Sequence, residues 1–178
     1  RWRSAGHPRL HPWVAGRRPI IAGSMRAGQG VSVKGMSWLL DGATSRKELL
    51  GMHPDLARDH ERILDELWNS SVDPRILEFC RLRTATLLGN QHAWAEPRSA
   101  AAVAAGLDEA MVQDLSLWVT DQRFDAATKT CLKLAEQYVL DVHSISDEQV
   151  AEVAAAIGND GVVTLTTALA TWEISHRF

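Results

Sequence analysis

Cysteine is scarce in this 178-residue chain, with only Cys80 and Cys131. Two widely separated thiols exclude a disulfide framework and a multi-cysteine zinc site, and they suit a reducing compartment. Each falls in a helical apolar register, where a free cysteine acts as a small buried hydrophobe. No stretch approaches the roughly eighteen consecutive apolar residues of a membrane span, so no transmembrane helix is expected. The G-x-S-x-G elbow, the P-loop, the dinucleotide fingerprint and the H-E-x-x-H pattern are all missing. No metal site is therefore expected. What remains is 46% hydrophobic and 23% charged, the balance of an ordinary globular protein with room for one sizeable core.

Acid is absent from residues 1–36, which hold Arg1, Arg3, Arg9, Arg17, Arg18, Arg26 and Lys34, a charge of +7. The remainder carries −10. The basic segment is rich in Gly and Pro and shows no sustained period, so it buries too little apolar surface to offset its ordering entropy. Three readings compete. An organellar presequence should be amphipathic and Ser-rich, whereas this segment is broken by two His-Pro steps and an Arg-Pro step. A nucleic-acid arm would use the basic run on phosphate and stack Trp2 and Trp13 on bases. The third reading places the native start near Met36, and it is the one adopted. Residues 1–36 are set aside as disordered or non-native, 37–178 are taken as one helical domain, and no nucleic-acid partner is expected.

From Trp38 onward the punctuation is helical. Ser45 and Glu48 form a capping-box pattern before Gly51. Pro54 stands at a first helical position, followed by a stripe of Leu56, His60, Ile63, Leu64, Leu67 and Trp68. Asp73 as N-cap, Pro74 at N1 and Gly89 at the end delimit the next helix. The alanine-rich run to Gly106 predicts another, and Asp108 caps the one after it. Cys131, Leu134, Tyr138 and Val142 mark a long amphipathic helix. Another runs from Ser146 to Gly158. The segment from Asn159 onward is apolar on more than one side, which predicts burial on both and hence a partner copy of the chain. No segment shows strand alternation bounded by hairpin turns, and "GVVTLTT" continues as helix. The expected class is all-α, with about seven helices.

The chemistry-bearing stretch is "LLGNQHAWAEPRSAAAVAAG". Of the seven histidines, His7 and His11 lie in the discounted extension. His53, His60, His143 and His176 each suit a structural or solvated role. His92 differs because Gln91 and Asn90 precede it and Glu78 lies about three turns down the preceding helix. A chain reversal at Gly89–Asn90 would bring the following segment alongside that helix. Glu78 sits between Leu77 and Phe79, and a buried carboxylate needs a partner or a raised pKa. A Glu78–His92 pair is the resulting candidate. The acidic run "DHERILDE" reads instead as a solvated helix face, with Arg62 and Glu66 at i, i+4 spacing.

At these residues the chain resembles the carboxymuconolactone decarboxylase / AhpD-like superfamily. The likeness runs from "PRILEFCRLRTATLLGNQHAWAEPRSAAAVAAGLDEAMVQDL" into "FDAATKTCLKLAEQYVLDVHSISDEQVAEVAAAIGNDGVVTLTTALA". It covers the chain from about Pro54 onward. The resemblance implies an AhpD-like helical bundle and a homo-oligomer, a trimer or hexamer in the usual case, with a dimer as the smaller form. The AhpD branch carries a Glu, a Cys-x-x-Cys twelve residues later and a distal His. Glu78 falls on that Glu, Asn90 and Ala93 on the two cysteines, His92 on an intervening His, and Pro97 on the distal His.

Thiol-peroxidase chemistry needs a thiolate and a resolving thiol, which Asn and Ala cannot supply. The decarboxylase branch uses neither cysteines nor a cofactor. The resemblance therefore implies cofactor-free acid/base chemistry on a small carboxylated or lactone-like molecule in the cytoplasm. Glu78 would orient His92 as the acid/base, Gln91 and Trp94 would shape the pocket, and Arg81, Arg83 or Arg98 would hold a carboxylate. Two alternatives stay open: a non-catalytic ligand-binding or assembly module on the same fold, and a residual peroxidase.

Overall fold

The computed structural model describes residues 46–177. The expectations for the basic extension and for the Ser45 cap lie outside them. Eight α-helices follow one another among the described residues. They are α1 (Arg46–Gly51), α2 (Pro54–Trp68), α3 (Pro74–Leu87), α4 (Gln91–Ala95), α5 (Ala100–Ala104), α6 (Glu109–Gln113), α7 (Ala126–Asp141) and α8 (Asp147–Arg177). Single 3-10 turns follow α6 at Leu115–Leu117 and α7 at Val142–Ser144. No strand occurs among the described residues, as an all-α chain requires.

Local chemistry sets the helix limits. The Asp73 carboxylate accepts from the Arg75 backbone N–H at 2.8 Å, and Asp108 does the same for Ala110 at 2.8 Å. Each satisfies a donor that a helix start leaves orphaned. At the other end of α3, Gly89 N–H bonds Thr86 O and Asn90 N–H bonds Ala85 O. This is a Schellman closure around a left-handed residue, and Gly89 at φ 70° supplies it without a Cβ clash. α8 is broken at Gly158, where φ is 78° and ψ 165°. The two segments the sequence separated at that glycine are both helical.

The core forms where α3 packs against α7 and α8, and α7 against α8. α3 is buried continuously from Ile76 to Leu82, so it is the central rod of the bundle. Leu77, Cys80 and Leu82 meet Cys131, Leu132, Leu134, Leu165 and Leu169 in one cluster. Phe79 stacks edge-on against Phe124 with ring centroids 5.2 Å apart. Such a pair adds about 1 kcal/mol to the area it buries. α2 lies on the outside of this rod. Leu67 is buried, but Leu56 and Ile63 of the expected stripe face solvent.

α8 buries Val153, Leu165, Leu169 and Trp172, while Val163 and Ile174 are 66% and 62% exposed. Within one chain it is therefore covered on one side only. The expectation that no segment is long and apolar enough to cross a membrane is corrected by the same helix. Its best 18-residue window has a mean hydropathy of 1.3 with 28% of it buried, which meets that test by length and composition. The helix also supplies Leu165, Leu169 and Trp172 to the core.

Candidate functional site

The junction after α3 is a built structure and not a bare connection. Beyond the Gly89 turn, the Asn90 side chain caps α4 by accepting from Ala93 N–H at 2.9 Å. Its amide nitrogen donates to the His176 carbonyl at 2.8 Å, which ties the junction to the last turn of α8. Asn90 is thus a structural amide that holds the junction together.

Glu78 and His92 are not brought together. Glu78 is fully buried, and its carboxylate takes two hydrogen bonds from Arg81, Nε at 3.0 Å and Nη2 at 2.6 Å. Arg81, itself 7% exposed, also donates from Nη1 to the Ala93 carbonyl at 3.0 Å. The buried carboxylate has found its partner one helical turn along the same helix, which removes the need for an imidazole. His92 is exposed on α4 and lines neither of the two cavities described below. The proposed relay is therefore absent within the chain.

Among the described residues, two cavities flank α3. The larger, about 320 Å³, is lined by Arg83, Thr86, Gln91, Trp94, Gln113 and Ser116 among others. Its volume falls within the range of small-molecule sites. Gln91 and Trp94 line it as the sequence suggested. Gln113 and Ser116 were not legible, because they arrive from α6 and the turn after it with no local signal. Arg83 is the arginine that reaches this space. Its Nε and Nη2 both lie 2.6 Å from Glu136 Oε1, and that oxygen also accepts from the Trp118 indole at 2.7 Å.

The smaller cavity, about 150 Å³, is lined by Leu64, Trp68, Arg81, Glu96, Pro97, Ser99, Trp172, Ser175 and His176. Arg98, the other proposed carboxylate holder, lines neither cavity. It donates to Trp94 O at 2.8 Å, pairs with Glu109 at 3.0 Å, and lies 5.6 Å over the Trp94 ring centre. Arg98 holds Glu109 below the usual carboxylate range through its hydrogen bond.

His176, read from sequence as structural or solvated, is buried. His60 Nε2 lies 3.3 Å from Ser175 Oγ, next to it. His53 caps α2, and His143 is exposed in the turn after α7. Both thiols are buried and reduced. Burial raises Cys80 well above its ordinary value, with nearby Cys131 adding to the shift, and pushes Cys131 up to about 12. Neither forms a thiolate readily near neutral pH. Among the described residues no group of three or more His, Cys, Asp or Glu could hold a metal ion.

No family model matches this chain, and no curated protein matches it either.

Proposed function

We propose that this chain is a cofactor-free member of the carboxymuconolactone decarboxylase / AhpD-like superfamily that binds a small carboxylated or lactone-like molecule in the larger cavity. The observation that carries this reading is the convergence of Arg83, Gln91, Trp94 and Gln113 on one space of about 320 Å³. Arg83 spends Nε and Nη2 on Glu136, so Nη1 keeps its N–H groups for a ligand oxygen. The amides of Gln91 and Gln113 add neutral donors, and the Trp94 ring offers a flat apolar wall for a lactone or unsaturated chain. Binding is the part of the notional chemistry that the geometry supports, because the Glu78 carboxylate is already committed to Arg81. The inert, buried thiols weigh against a peroxidase. Unpaired thiols fit a cytoplasmic setting. The half-covered α8 fits a homo-oligomer.

The test is calorimetric titration of a panel of lactones and β-keto acids, with carbon dioxide release followed in parallel. A member of the panel should bind, and Arg83→Ala and Gln91→Ala should each weaken it by about tenfold, one interaction's worth of affinity. His92→Ala should leave the affinity unchanged. Absence of binding across the panel, or binding indifferent to both pocket variants, overturns the reading. Carbon dioxide release that disappears in His92→Ala would restore the imidazole to a catalytic role.

A further inference from the structure

The charge on the wall of the larger cavity is matched from behind. Among the described residues that line it, Arg83 alone is charged. Glu136, on α7 and outside that lining, places Oε1 2.6 Å from both Nε and Nη2 of Arg83. The same oxygen accepts from the Trp118 indole at 2.7 Å, so the carboxylate is held from two sides. The side chains of the pair are only 17% and 23% exposed, which limits screening by solvent. A guanidinium and a carboxylate in contact carry no net charge. Arg83 therefore leaves for the cavity the two N–H donors of Nη1, with no uncompensated charge behind them. Gln91 and Gln113 are neutral, and Glu109, to which Gln113 donates at 3.2 Å, is itself paired with Arg98 at 3.0 Å.

We propose that Glu136 sets the specificity of the larger cavity, which selects a flat, uncharged carbonyl compound over the carboxylate of the same shape. This rests on the reading that Arg83 meets a ligand there, and it chooses between the two ligand classes which that reading admits. A neutral carbonyl oxygen accepts from Nη1 at a small desolvation cost. A carboxylate gives up far more hydration on entering. Its attraction to Arg83 is offset by repulsion from Glu136, so the lost hydration is not recovered in full. The size of the ligand follows from the space. A cavity of about 150 Å³ holds benzene, so one of about 320 Å³ has room for two fused rings beside Trp94. Glu136 also ties α3 to α7, but a purely structural duty would affect a neutral and a charged ligand alike. The ratio of the two affinities therefore separates the roles.

The experiment is titration of the full chain at neutral pH with 2-naphthamide and with sodium 2-naphthoate, its charged isostere, by calorimetry and by ligand-observed NMR. The parent should bind the amide at least about tenfold more tightly than the carboxylate. Glu136→Gln keeps an acceptor oxygen for Trp118 and Arg83 but removes the charge, and should move the ratio about tenfold toward the carboxylate. Glu136→Asp keeps the charge and should keep the preference for the amide. Glu136→Ala is the second neutral variant, should the glutamine one not fold, and should move the ratio in the same direction. Gln91→Ala should weaken the amide, which places the probe in this cavity. A parent that binds the carboxylate as well as the amide overturns the proposal without any variant. Amide binding that Gln91→Ala weakens, with the same ratio in parent and neutral variants, overturns the role of Glu136 and leaves the cavity reading standing. Absence of binding of either probe overturns both.

Discussion

Glu78 and Arg81, one turn apart on the central helix, form a two-pronged ion pair sealed inside the bundle, with the shorter contact at 2.6 Å. Taking two charges out of water is costly, so such a pair is held by mutual satisfaction and not by net gain. Removing one partner leaves the other buried and uncompensated. Glu78→Gln or Arg81→Met should therefore lower stability by about 3–5 kcal/mol, read as a shifted denaturation midpoint. The double replacement by Met should recover most of that loss. His92→Ala, on an exposed α4 position, should stay within about 0.5 kcal/mol of the parent. A relay built on Glu78 and His92 would instead show coupled losses of function at unchanged stability.

Both thiols should resist modification in the folded state. Cys80 and Cys131 have 0% exposure, and burial holds both in the protonated form. A thiol reagent added to the native chain should label neither cysteine over minutes at neutral pH, and both should react once the chain is unfolded in guanidinium. Dithiol-dependent peroxide reduction should be absent from the native protein. Turnover that Cys80→Ala abolishes would contradict this expectation.

Local rules made the framework legible. Asp73, Pro74 and Gly89 delimited α3, and Asp108 announced α6, because capping depends on the few residues at a helix end. The pairing of Glu78 was not legible. Arg81 stands at i+3 in plain view, but choosing it over His92 requires knowing which side of α3 is sealed. Burial of nearly the whole α3 circumference is a property of α7 and α8 closing around it. The larger cavity was half legible for the same reason. Gln91 and Trp94 sit in the unusual junction itself, whereas Gln113 and Ser116 reach it from about twenty positions further along the chain. The Leu56 and Ile63 positions misled in the opposite direction. They satisfy the helical period, yet no element covers them among the described residues.

Acid should loosen the start of α3 only at low pH, below the ordinary carboxylate pKa. The Arg75 side chain hydrogen-bonds Asp73 and holds its carboxyl below the ordinary value of 3.8, with the Arg75 backbone N–H contributing in the same direction. A group with a depressed folded pKa adds stability that is complete above its unfolded pKa and is lost as pH falls through its folded pKa. Asp73→Ala should cost about 1 kcal/mol at neutral pH, the usual worth of an N-cap. In a domain of this size that is about 4 °C in Tm. The gap between variant and parent should shrink below pH 3.8 and not above it. A constant gap down to low pH would show that the carboxylate charge is not what caps the helix.

The exposed side of α8 is the last feature with a measurable consequence. Val163 and Ile174 stand eleven positions apart, about three helical turns, so they fall on one stripe, and both are more than half exposed. Leaving a large apolar side chain in water forgoes about 1.5–3 kcal/mol relative to full burial. A second copy of the chain packed along this stripe would recover part of that and complete the burial expected of a helix apolar on more than one side. Light scattering after size exclusion should find an oligomer for the parent. Val163→Glu with Ile174→Glu should give a monomer of unchanged helix content, because neither residue belongs to the core cluster. A parent chain that is monomeric at micromolar concentration would leave the stripe without that role. A parent chain that sediments with lipid vesicles would instead assign α8 to a bilayer, as its mean hydropathy of 1.3 permits.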